Sequence, residues 1–205
     1  MSITCNVTYE DLDLSEGCVP NMSGVKVMGW ALKSDIQALP KIPDTRTSIK
    51  DYAEMSEGGV ELNLKDHSIQ MKTGKRFFRF YTGDELGELK YAVSGPQGGK
   101  GFKANLEVFH PGLKSTLLGF MSSTMNRELV LLVKLNNGDI HVLGDLDRGV
   151  MPSDGVEITS GKAATDANGA TLQYAWNTPT AQIYLGEYDS LFEVNDSGSG
   201  SASGT

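Results

Sequence analysis

The chain has 205 residues, 39% of them hydrophobic, with 24 glycines and a formal net charge of −8. That suits one core built from strands and tight turns. No apolar run approaches the ~18 residues of a membrane-crossing helix, and the N-terminus has neither a basic nor an apolar segment, so neither a span nor a signal peptide is expected.

In chain order, Cys5 and Cys18 are the only cysteines and are expected as reduced thiols. Asn6 and Asn21 open glycosylation sequons, which are discounted without a secretion route. Asp11-x-Asp13-x-Ser15 hints at a calcium loop, but Glu16 replaces the required glycine and Met22 the bidentate glutamate. Val25–Leu32 reads as a strand, with Val25, Val27 and Gly29 on one side and Lys26, Met28 and Trp30 on the other. Residues 34–57 hold Pro40, Pro43 and no sustained period, so a long surface loop is expected, with a helical turn at Ser48–Met55. That loop and the extreme termini are expected to be mobile in a free chain and ordered against a neighbouring copy. Strands follow at Val60–Lys65, Ser68–Lys72, the aromatic run Arg76–Tyr81, Leu89–Val93 and Phe102–Phe109, the last two joined by a glycine-rich turn at 95–101.

The centre of the chain is a helix feeding a hairpin. Leu113, Leu117, Phe120, Met121 and Met125 recur at helical spacing, and Pro111 is placed to open a helix over about 111–126. Glu128–Leu135 and Asp139–Leu143 are β-rich runs joined at Asn136-Asn137-Gly138, a hairpin signal because Asn and Gly accept positive φ. The first run is almost continuously apolar, which predicts burial on both faces. Further strands are expected at Val156–Thr159, Ala170–Trp176 and Ala181–Leu185, before a Ser/Gly-rich tail at 195–205. The pattern predicts a mainly β fold: an antiparallel sandwich or barrel with one flanking helix, in a single domain over 1–194.

The chemistry that can be read is sparse. His67, His110 and His141 stand apart, with no second ligand at metal spacing. The stretches Gly95–Gly101 and Gly155–Lys162 fail as phosphate loops, since Gly101 and Ala163 stand where a hydroxyl is required. No Gly-x-Ser-x-Gly elbow is present. No enzyme activity, no metal and no cofactor are expected.

Charge is more telling when divided along the chain. Residues 1–138 hold 16 basic and 16 acidic side chains, whereas 139–205 hold two and ten. Residues 65–134 alone carry eleven basic against six acidic. Such a division describes solvated sheet surface, or a subunit whose opposite ends attract neighbouring copies.

The run from Ser160-Gly161 through Asp166-Ala167-Asn168-Gly169 to Thr171-Leu172-Gln173-Tyr174 resembles the closing strand pair of the tail-tube proteins of long-tailed bacteriophages. The order of a strand-rich first half, a helix and an Asn-Gly hairpin is similar too, over roughly 60–185. That fold is shared with the tube subunits of contractile injection machines and type VI secretion. The resemblance implies a structural virion protein whose copies pair edge strands into rings, hexameric in that family, which stack around a DNA channel. It implies as partners the chain itself, other tail proteins and DNA that passes without specific binding, with no membrane; the place would be the virion tail, assembled in the host cytoplasm. Asp145, Asp147 and Asp154, on turns beside the hairpin, become candidate charges of the channel wall or of the contact between subunits. Trp30 and Trp176 become candidate interface anchors. Another virion component, such as a tail terminator, connector or decoration protein, is the nearest alternative. A carbohydrate-binding β-sandwich is the alternative from a different class, with Trp30, Tyr91, Trp176 and Tyr184 as stacking platforms.

Overall fold

The structure, a computed structural model, describes residues 22–44, 46–56, 68–82, 85–163 and 165–194. In these residues the chain forms β1 Val25–Leu32, β2 Ile36–Ala38, β3 Glu54–Met55, β4 Gln70–Met71, β5 Phe78–Phe80, β6 Gly87–Ser94, β7 Gly101–Pro111, α1 Ser115–Thr124, β8 Leu129–Leu135, β9 Ile140–Leu143, β10 Glu157–Thr159, β11 Gly169–Thr178 and β12 Ile183–Tyr184. Two sheets dominate, in the orders β3-β12-β9-β8-β1-β5 and β10-β11-β7-β6, and β2 pairs with β4 alone. The pairings are antiparallel except that of β12 with β3. Both sheets end in open edges, so among the described residues this is a sandwich rather than a closed barrel. The strand expected at 60–65, His67, both cysteines, the 11–15 run and the 195–205 tail lie outside the described residues.

β8 decides the layering. Leu129, Leu131 and Val133 point into the core between the two sheets. Val130 and Leu132 point the other way, into a second core on the far face of the six-stranded sheet. A strand buried on both faces has no need to alternate, which is why its sequence is a continuous apolar run. β11 shows the opposite case: Ala170, Leu172, Tyr174 and Trp176 face the core, while Thr171, Gln173, Ala175 and Asn177 face out. The four-stranded sheet therefore has one dry face and one wet one.

The two sheets cross steeply. At the start of β6, Gly87 lies against Val25 of β1; four residues on, Tyr91 reaches His141 of β9, two strands across the other sheet. At the far end of β7, His110 meets Phe80 of β5 at a tilt of 50°, 4.9 Å between ring centres. α1 closes this side of the sandwich by sending Leu117 and Met121 into the core.

Four local expectations are corrected. α1 starts at Ser115, not at Pro111, which is the last residue of β7. The cause is Gly112, whose φ of +89° turns the chain before a helix can begin. In β1 a bulge between Val25 and Val27 reverses the alternation, so Val25 shares the inner face with Met28 while Val27 faces the second core. In the hairpin only Gly138 has positive φ (+104°), and its N–H donates to Leu135 O at 3.2 Å. That is the longer loop in which a type I turn is followed by a left-handed glycine.

The fourth correction concerns residues 34–56, which belong to the fold instead of forming a structureless loop. Ile36, Leu39 and Met55 fill the second core beside Leu132 and Tyr184. The expected helical turn is a 3₁₀ turn at Lys50–Tyr52. Asp51 holds it by accepting from the N–H groups of Ser48 at 2.8 Å and Thr47 at 2.6 Å. Those two hydrogen bonds bring its carboxyl down to about 2.

Candidate assembly surface

The run at 160–174 braces the start of the helix. Asp166 accepts from the N–H groups of Ala163 at 2.7 Å and Lys162 at 2.9 Å, and these bonds hold its carboxyl below the usual range. Asn168 then takes two donors from the link between β7 and α1: Gly112 N–H to its carbonyl at 2.7 Å and Leu113 N–H to its side-chain oxygen at 3.1 Å. Its neighbour Gly169 pairs with Pro111. These hydrogen bonds fasten the fold.

The three candidate aspartates lie on two turns. Asp145 and Asp147 sit on the turn after β9, where Asp145 N–H donates to Arg148 O at 3.0 Å and Lys33 Nζ donates to Asp147 O at 3.2 Å. Lys33 also pairs with Glu128, and its hydrogen bond, ahead of that from Gly149, lowers the Glu128 carboxyl. Asp154 lies on a different turn, leading into β10, where Ser153 N–H donates to Gln173 O at 2.8 Å. It is exposed.

The aromatic candidates also separate. Trp176 is 4% exposed and sits in the core of its own subunit, so it has almost no area to offer a neighbour. Tyr184 is buried and accepts from Ile69 N–H at 3.3 Å. Tyr91 lies between the sheets, its hydroxyl 3.1 Å from His141 Nδ1. Trp30 is half-exposed, as Tyr91 is, and lies between Phe78 at 5.0 Å and Phe120 at 4.9 Å. The four stacking platforms of a carbohydrate module are thus not on one open face. Phe78, which sequence reasoning does not single out, is the exposed partner; its signal is its place between two arginines in the aromatic run Arg76–Phe80.

Burial pushes the His141 imidazole below its ordinary value of 6.5, with Asp139 opposing weakly. As pH falls through 6.5 the unfolded chain takes up this proton before the folded one, so stability is lost on acidification. The urea midpoint is expected to fall between pH 7.5 and 5.5, and to fall less in His141→Gln. A parallel decline in both proteins would remove His141 as the cause.

What the fold does present is edge and face. Apart from Phe109, the outward side chains of β6, β7 and β11 are small or polar: Lys90 beside Asn105 and Ala175, Glu88 beside Glu107 and Gln173. Glu88 and Glu107 oppose one another in register, which is unfavourable until Lys90 joins Glu88 at 2.7 Å. An open groove of about 800 Å³ runs past Glu85, Glu88, Glu107 and Phe109 at the end of this face. Among the described residues no group of three or more His, Cys, Asp and Glu side chains is close enough to hold a metal ion, and no helix is long and apolar enough to cross a membrane. Comparison with protein-family models, curated proteins and solved structures finds no match to this chain.

Proposed function

We propose that the chain is a structural subunit that assembles with copies of itself, a tail-tube protein of a virion or a close relative. The observation that carries this reading is the four-stranded sheet. One face is sealed in the core, the other is mostly small and polar with Phe109 at one end, and the eight-residue edge β6 and the short edge β10 are both open among the described residues. Open edges invite pairing with another chain, and ring closure removes that liability. In a ring, the wet face would line the channel. Its charged side chains include Glu88, Glu107, Lys90 and Lys103, a mixture without the basic excess that would retain DNA phosphates by counterion release.

DNA passing through the lumen, other tail proteins and a place in the virion tail come with this reading. The test is negative-stain microscopy of the purified protein at rising concentration, beside sedimentation. Stacked rings or tubes are the expected result. Single rings that never stack would favour a terminator or connector, and a protein that stays monomeric throughout would overturn self-assembly.

A further inference from the structure

Two sets of exposed apolar side chains sit among charges of opposite sign. Phe78, 41% exposed, stands between Arg76 and Arg79 at the open edge β5. It stacks on Trp30, and Trp30 meets Phe120 of α1, so the three rings form one aromatic ledge. At the edge of the other sheet, Met151 and Ile158 are 50% and 41% exposed, and Asp154 and Glu157 lie between them in the chain. Residues 149–161 contain no Lys or Arg.

Each surface is incomplete alone. Lys75 and Arg79 have carboxylate partners, Asp35 at 3.2 Å and Asp189 at 2.6 Å. Arg76 lies over the Phe78 ring at 5.0 Å and donates to Phe192 O at 3.3 Å, but meets no carboxylate among the described residues. Asp154 and Glu157 likewise have no cation beside them among the described residues. Aromatic rings and arginine are what the centre of a protein interface favours, and opposite charge sets which surface docks there.

We infer that the ledge of Arg76, Phe78 and Trp30 docks a second copy of this chain through its acidic edge, Met151–Ile158. The contact is head-to-tail, so it propagates from copy to copy until a ring closes or a filament grows. This assignment rests on the self-assembly reading and names its partner surfaces.

Charge reversal tests it. Arg76→Glu and Glu157→Lys, each alone, are expected to weaken self-association about tenfold or more in sedimentation, and the double variant to recover most of the loss. Raising salt from 0.1 to 1 M, which shrinks the Debye length from ~10 to ~3 Å, is expected to weaken wild-type assembly. Asp154→Lys with Glu157→Lys reads the acidic side without touching the Arg76 bond to Phe192, and should show the same loss. Single variants that assemble like wild type, or a double variant no better than either single, would overturn the contact while leaving self-assembly standing. Wild type that remains monomeric overturns both and leaves the ledge to a different protein.

Discussion

Leu131→Ala and Leu132→Ala are each expected to destabilise the fold by about 2–5 kcal/mol. Adjacent residues of a strand point to opposite faces, so in a sheet wetted on one side only one of the two would matter. Here Leu131 faces the core between the sheets, with Leu106, Leu172 and Met28, and Leu132 faces the second core, with Met55, Tyr184 and Phe192. Neither retains exposed surface. Urea unfolding with a shared m-value would measure both. A Leu132→Ala variant within about 0.5 kcal/mol of wild type, the range of an ordinary surface change, would mean that the second core does not hold in solution. Residues 34–56 would then be a loop after all.

That second core marks the boundary of what the sequence makes legible. Strands β1, β6, β7, β8, β9 and β11 can be placed within about two residues because period-2 alternation, or an unbroken apolar run, is a direct imprint of the faces they bury. Residues 34–56 leave no such imprint. Ile36, Leu39 and Met55 reach the same core from separate short segments, and contacts made one residue at a time have no period to detect. The β1 bulge is invisible for a related reason, since an extra residue in one strand shows only against its partner β8. Trp176 sits within an alternating strand like any core residue, and only its bulk and indole N–H suggest an anchor. The ledge, in contrast, needs β1, β5 and α1 brought together, which spacing along the chain does not foretell.

The resemblance at 160–174 has a similar limit. Asp166, Asn168 and Gly169 are legible as turn residues, and the structure shows what they fasten: the loop to itself, and β11 to the start of α1. Turn chemistry is reused wherever a chain must reverse, so it speaks to fold rather than to function. The self-assembly reading therefore rests on the open edges and the wet face of the four-stranded sheet.

Gly169→Ala is expected to be among the most damaging single-methyl additions in this chain. Gly169 has φ of +156° and lies opposite Pro111 where β11 meets β7. A Cβ there would overlap the His110 carbonyl oxygen and come within 2.9 Å of the Phe109 ring. The first obstacle is backbone, so no side-chain rotation relieves it. Separating the strands would also pull Asn168 from the Gly112 and Leu113 N–H groups that it receives. Overpacking and backbone strain together predict a loss of about 2–4 kcal/mol. Gly119→Ala is the control, because that glycine lies within α1 with nothing near its missing Cβ. There the same methyl should stabilise by about 1 kcal/mol through helix propensity. Urea unfolding of the two variants, side by side, measures the difference. Gly169→Ala as stable as wild type would mean that β11 and β7 do not approach so closely, and the bracing of α1 by this turn would fall with that approach.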